Sequence, residues 1–304
     1  MQIVRLFIAC TAFALTGAAC AQIPAAISSD PARDKANPAA METVQIPSHG
    51  ALLNGLVYVA SGPGPHGVVI LLHGFPGNEK NLDLAQAIRR AGWDVLYFDY
   101  RGSWGTPGAF SFSHSMEDTL AAIAYVRDPE VAKKLRIDAR SIVLVGHSMG
   151  GFMAAYGGAQ DAKILGVALI SAWDIGSGAE LPANAPAEAK KQAIAGVAKS
   201  LAQEGLAPLA GCTAESLAEE LVGHAAEWRL PGLAAKLAAH PVLVITSDDG
   251  TAPGSDAIVA GLAQAGDQEV SERHMATDHS YSDKRIELET AVLSGLDYLL
   301  QHPR

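Results

Sequence analysis

The segment Gly146-His147-Ser148-Met149-Gly150 sets a serine between small residues, where the apolar run 141–145 gives way to a helical pattern beginning near Met149. A serine on a tight strand-to-helix turn needs such flanks to hold strained backbone angles and keep its hydroxyl exposed. A hydroxyl is a weak nucleophile near neutral pH. It needs a base to take its proton, an acid to orient that base, and donors for the developing oxyanion. His279, in a loop between the last strand and last helix patterns, is the expected base, since a loop lets the imidazole reach over the sheet edge. His274, its rival, is still in the strand, where pleating fixes its direction. Asp248 and Asp249 both follow the apolar run 241–245, and Asp249 is preferred because it stands three residues after Thr246 and four before Pro253, the spacing of a Gly-x-x-Asp-x-x-x-Pro arrangement with Thr in place of Gly. One of the two is a turn residue before Gly250. His73-Gly74-Phe75-Pro76-Gly77 leaves another apolar run and can aim the Phe75 N–H at the site, with Met149 giving the second N–H. His73 is expected to support that loop by hydrogen bonds, and His147 to pack with its side chain away from the serine hydroxyl.

These groups meet only if several strands end at one place. Residues 52–60, 67–72, 93–99, 141–145, 165–171, 241–246 and 268–274 read as strands, several of them short, fully apolar runs of the kind buried on both faces of a parallel sheet. Helical patterns intervene at 81–91, closed by Gly92, and from about 115 to 127, opened by a capping-box-like Ser115-Met116-Glu117-Asp118. Another starts near Met149 and a last one covers 283–301. Such alternation predicts an α/β fold with a mostly parallel sheet and helices on both faces. Residues 174–239 interrupt it. Rich in Ala, Glu, Lys and Leu, with scattered Pro and Gly and no strand run, they predict a mobile helical cap over the carboxyl ends of the strands.

The 304 residues carry 22 Lys+Arg against 32 Asp+Glu, and no basic block stands out, which excludes a phosphate-reading face and hence nucleic acid as partner. Residues 1–21 have the order of a secretory signal: Arg5, an apolar run 6–15, then Ala19-Cys20-Ala21 with Gln22 as the first mature residue. The alternative cut before Cys20 would acylate it. The apolar run is too short to span a bilayer. A chain from Gln22 keeps one cysteine, Cys212, expected as a small hydrophobe in a helical segment, and has no internal disulfide. Export without disulfides predicts a periplasmic or secreted protein. Residues 22–45, rich in Ala, Pro, Ser and Asp, read as a flexible leader to a domain spanning 46–304. The ten histidines are scattered with no His-Glu-x-x-His or Cys-x-x-Cys spacing, and no Gly-x-Gly-x-x-Gly follows a strand, so neither metal nor nucleotide cofactor is expected.

Over residues 44–301 the motifs and their order resemble the α/β-hydrolase family. Asp99-Tyr100-Arg101-Gly102-Ser103-Trp104-Gly105 is similar to the (Asn/Asp)-x-Arg-Gly-x-x-Gly segment of dienelactone-hydrolase-like enzymes and of the catalytic domains of acyl- and prolyl-peptide-cleaving serine peptidases. The resemblance implies a cofactor-free serine hydrolase working through an acyl-enzyme. Ser148 stands where dienelactone hydrolases carry cysteine, and where haloalkane and epoxide enzymes carry aspartate. Phe75, Trp104, Phe110, Phe112, Met149 and Trp173 are candidates either to line a site, which favours a modest apolar ester, or equally to fill the core; a small acyl or aminoacyl peptide is the alternative substrate. A non-catalytic binding protein on this scaffold would be expected to lack a triad member, and none is missing.

Overall fold

The computed structural model describes residues 23–267 and 269–302 of the chain. The leader read at 1–21, with Cys10, Cys20 and the cut before Gln22, lies outside the described residues. A short helix α1 (Ala25–Ser28) precedes the strands β1 (Ala40–Ser48), β2 (Ala51–Val59) and β3 (His66–Leu72). There follow α2 (Leu82–Arg90), β4 (Asp94–Phe98), α3 (Phe112–Arg127), α4 (Pro129–Leu135), β5 (Ile137–His147), α5 (Met149–Gln160) and β6 (Gly166–Ile170). The excursion after β6 holds α6 (Ala187–Gln203) and α7 (Ala214–His224). A 3-10 turn at Leu230–Leu233 leads to α8 (Ala234–Leu237), β7 (Val242–Ser247), α9 (Ala252–Gln264), β8 (Val270–Met275) and α10 (Arg285–Gln301). Among the described residues, no helix is long and apolar enough to cross a membrane.

The strands form one sheet in the order β1-β2-β4-β3-β5-β6-β7-β8, antiparallel from β1 to β2 and β2 to β4, parallel from β4 onward. The expected mostly parallel α/β sheet is therefore what the chain builds. Strand β6 is buried at every residue, which explains why it reads as an unbroken apolar run rather than an alternating one; β4 is buried throughout as well but opens on Asp94, which accepts the Ala60 N–H at 2.7 Å. One face packs against Phe112, Met116 and Ile123 of α3 and Phe152 and Met153 of α5. The other packs against Leu84 and Ile88 of α2 and Leu288, Val292 and Leu296 of α10.

Three local expectations are corrected. The sheet begins at Ala40, inside the segment assigned to the leader, because Val44, Ile46 and Ser48 point inward at strand spacing while the residues between them face solvent. Helix α3 opens at Phe112, not Ser115; the Ser111 side chain accepts the His114 N–H, and Ser115 and Asp118 are buried within the helix. Buried Asp118 takes the Arg101 backbone N–H at 2.8 Å, Arg101 Nε at 2.6 Å and the Ser48 hydroxyl at 2.6 Å, tying the loop after β4 to α3. Cys212 is a half-buried loop residue just before Thr213, the N-cap of α7.

The excursion after β6 closes on itself sooner than residue 239. Buried Asp174 accepts Arg229 Nε at 2.8 Å and the Leu230 N–H at 2.7 Å, and Gly176 N–H donates to the Trp228 carbonyl at 2.9 Å. Beyond this clasp, the 3-10 turn and α8 pack against α5 and α9 as part of the body. The cap proper is also fastened at its far side. Glu220 on α7 accepts the N–H groups of Phe112 and Ser113 at the start of α3, where a carboxylate is favoured by unpaired donors and the helix dipole. Main-chain bonds further join Trp104 to Pro208, Phe110 to Ala210 and Ala210 to Gly102. Helix α6 buries only Ala198 and Leu201, so it is the loosely held element of the cap.

Two glycines let β5 turn into α5. A Cβ on Gly146 would stand 1.9 Å from the Gly150 carbonyl oxygen, and one on Gly150 would stand 2.0 Å from that of Leu72. Backbone cannot yield as a flexible side chain does. Gly150→Ala is expected to lose about 3 kcal/mol in urea melts, whereas Gly196→Ala, facing open space inside α6, should gain about 0.5–1 kcal/mol. Equal stability of the two variants would contradict this packing.

Candidate active site

Ser148 sits between β5 and α5 with φ 57° and ψ −121°, a combination unfavourable for an L-residue. The neighbouring strand holds it there: the Ser148 N–H donates to the Ile170 carbonyl at 2.9 Å, and its carbonyl accepts from Trp173 and Gly151, each at 2.9 Å. With its backbone so committed, the residue remains 9% exposed. Met149 begins α5, where an N–H has no intrahelical acceptor.

The loop after β3 runs against this turn. A Cβ on Gly74 would lie 2.9 Å from Ser148 Cβ and 3.4 Å from Oγ, so main chain passes directly beside the hydroxyl and only glycine fits. His73 Nδ1 lies 2.8 Å from the Gly74 carbonyl oxygen, which can only accept, so Nδ1 carries the hydrogen. Drawing that carbonyl toward His73 turns the N–H of Phe75, on the same trans peptide, the opposite way. Burial pushes the His73 ring down to about 4 and keeps it neutral; Asp99, 3.7 Å from Nε2, is too far to hydrogen-bond.

Of the two adjacent acids, the structure separates the roles. Asp249 Oδ2 lies 2.7 Å from His279 Nδ1, and its Oδ1 accepts the Thr251 N–H at 2.8 Å and hydroxyl at 2.7 Å. Its side chain is 3% exposed, that of His279 41%. Burial alone would raise the Asp249 carboxyl, but hydrogen bonds from Ser171, Thr251 and His279 outweigh it and hold the group well below the usual carboxylate range. Asp248 instead faces solvent and meets His274 Nε2 at 3.2 Å, so each acid has its own histidine. Sequence reasoning did not single out the support beneath Asp249: Ser171 Oγ is 3.1 Å from Ser247 Oγ and 2.9 Å from the Tyr281 hydroxyl, at the ends of β6 and β7. Isolated serines at strand ends carry no local signal for such a ladder.

His147 was expected to pack away from Ser148. It is buried, but it also bonds: Nε2 lies 2.8 Å from the His279 carbonyl oxygen, and the two rings are 4.6 Å apart. Burial first, then the neighbouring His279, push its value down to about 4. Phe75, Phe110, Phe112 and Trp173 form one aromatic cluster, centroids 5.7–6.5 Å apart. Trp104 lies outside it, half-exposed, its Nε1 donating to the Pro76 carbonyl at 3.0 Å and its ring under Lys80. Arranged in this way, Asp249 orients the His279 imidazole, and the start of α5 presents main-chain donors beside Ser148.

A sequence model of the α/β-hydrolase fold matches residues 67–207. The chain superimposes on an esterase from Pyrobaculum calidifontis with TM-score 0.65 at 17% identity, covering 87% of this chain and 88% of that one. A thermostable carboxyl esterase from Bacillus coagulans gives 0.61 at 17% identity, with 86% and 99% covered. A puromycin hydrolase gives 0.59 at 15% identity, covering 90% of this chain and 41% of that one. Among curated proteins, no sequence match was found. At these identities the likeness concerns the fold.

The buried neutral rings make acid stability measurable. His73 and His147 titrate at about 4 when folded against 6.5 when free, so between those values the unfolded chain binds protons that the folded chain refuses. Stability must then fall as pH drops through that window, by roughly 3 kcal/mol per ring at full titration. In urea melts across it, His147→Gln should show a shallower acid loss than the parent. Parallel curves would mean that His147 is not held neutral by the fold.

Proposed function

Starting from a chain that has the α/β-hydrolase fold, we propose that it is a serine hydrolase cleaving carboxylic esters through an acyl-enzyme, with Ser148 as nucleophile, His279 as general base and acid, and Asp249 as orienting acid. The observation that carries this reading is the 2.7 Å contact between Asp249 and His279, with His279 held by its carbonyl against the residue preceding Ser148. Ser148 Oγ attacks the ester carbonyl carbon while its proton passes to His279 Nε2. The resulting oxyanion is received by the N–H groups of Phe75 and Met149. Collapse expels the alkoxide, which takes the proton back from His279. Water, deprotonated by the same nitrogen, then attacks the acyl-enzyme; the acyl–Oγ bond breaks, Ser148 Oγ takes that proton back from His279, and the acid is released. Ionised Asp249 holds His279 with Nδ1–H, leaving Nε2 free for these transfers, and stabilises the imidazolium formed in each half.

Phe110 and Phe112 belong to the core, while Phe75, the proposed oxyanion residue, and Trp173 are only partly buried against it; these two side chains support an apolar acyl group of modest size. The similarity of residues 99–105 to the segment of acyl- and prolyl-peptide-cleaving serine peptidases supports, as a second reading, a small acyl or aminoacyl peptide. The order of residues 1–21 supports export to the periplasm or medium, by cleavage before Gln22 or by acylation at Cys20.

Purified protein assayed on p-nitrophenyl esters of rising chain length and on aminoacyl p-nitroanilides separates the two substrate readings, esters being expected to give the higher kcat/KM. Ser148→Ala should lower kcat by about 10⁴-fold or more without lowering Tm. Asp249→Asn should lose about 10³–10⁴-fold, while Asp248→Asn, paired only with exposed His274, stays within a few-fold. A larger loss from Asp248→Asn would contradict the assignment of the acid.

A further inference from the structure

The residue before the proposed nucleophile makes a contact that packing does not explain. A carbonyl oxygen only accepts, so the 2.8 Å approach of His147 Nε2 to the His279 carbonyl requires Nε2–H. The ring is neutral, which leaves Nδ1 as a bare acceptor. That atom is buried and, among the described residues, has no hydrogen-bond partner. An uncompensated buried acceptor destabilises the fold, and a leucine or phenylalanine at 147 would fill the space without it. The ring therefore brings something that an apolar side chain does not, and its one directed bond among the described residues runs to the backbone of His279.

On the reading of Ser148 and His279 given above, we propose that His147 is a positioning residue. Its Nε2–H bond fixes the loop bearing His279 to the strand bearing Ser148, and so sets the distance between hydroxyl and imidazole. Other bonds also hold the loop. Asp278 turns it back by accepting the N–H groups of Ser280 and Ser282, Tyr281 sits at φ 57° with its hydroxyl on Ser171, and Asp249 grips the His279 ring. Asp249 fixes which way the imidazole faces, but it stands on the loop after β7, two strands from β5. His147 is on β5 itself, so its bond is a direct tie between the two reacting groups. The groups around it are the His279 ring, the edge of the Tyr281 ring, and the charges of Asp249 and Arg285. Neutrality matters here because a cation at 147 would oppose the imidazolium that His279 becomes during turnover.

The test uses three variants chosen by reach. Gln at 147 places an amide nitrogen as many bonds from Cβ as Nε2 and can donate to the same carbonyl; Asn is polar but stops short; Leu fills space and donates nothing. Each variant is titrated with a fluorophosphonate to count competent sites, and then assayed for kcat and KM on a p-nitrophenyl ester. His147→Leu and His147→Asn are expected to lose about 10–100-fold in kcat, the scale for a displaced reacting group, with KM within about threefold of the parent. His147→Gln should recover to within about fivefold of parental kcat. A merely structural role predicts that loss follows Tm, with Leu retaining most activity and Gln offering no rescue; that pattern overturns the proposal. If the parent protein neither reacts with the probe nor turns over any ester, the catalytic reading fails and the proposal goes with it, an outcome distinct from an active parent with indifferent His147 variants.

Discussion

The whole site depends on one constraint: the chain must pass from β5 into α5 within a single residue. That residue is Ser148, at φ 57° and ψ −121°. The turn is possible because the backbone of Gly146 nests against Gly150, and Gly150 against the end of β3, at separations that no side chain could occupy. Strained geometry of this kind persists only where the surroundings over-determine it. Here they do so through hydrogen bonds to Ile170 and Trp173 at the end of β6. The same closeness brings the Gly74–Phe75 peptide beside the hydroxyl. The nucleophile and the main-chain donors proposed to serve it are thus consequences of one packing event.

The second theme is histidine kept neutral by burial. Among the described residues, His73 and His147 each give one hydrogen bond to a carbonyl, of Gly74 and of His279, and each leaves a ring nitrogen buried without a hydrogen-bond partner. Each of these carbonyls belongs to a loop that bears a proposed catalytic group. Fold stability is given up at these two atoms in exchange for fixed loops, a trade-off commonly met at functional sites. His279 differs from both: it is partly exposed and has a buried carboxylate, Asp249, held ionised by several donors.

Much of this was legible in the sequence because it is local. The buried parallel strands announced themselves as apolar runs, and the serine turn by its small flanks. The spacing of Asp249 from Thr246 and Pro253 selected the acid that does meet His279. What escaped notice is long-range. Strand β1 hid behind Ala and Pro, with Pro47 tolerated because β1 is at the sheet edge. The start of α3 was misplaced because its cap at Ser111 and the anchoring of Arg101 by Asp118 depend on tertiary contacts rather than on a local motif. Glu220 reaching the start of α3 across more than a hundred residues of chain, and Asp174 closing the cap on Arg229, are pairings between distant surface-type residues that no periodicity encodes.

The central claim is that Ser148, served by the Asp249–His279 pair, forms the covalent intermediate. Its most direct test is acid quenching of the protein during turnover of p-nitrophenyl acetate, followed by peptide mapping in a mass spectrometer. The account predicts an acetyl group on the peptide containing Ser148, absent from Ser148→Ala. Turnover that leaves Ser148 unmodified while an acetyl group gathers on another residue would contradict it.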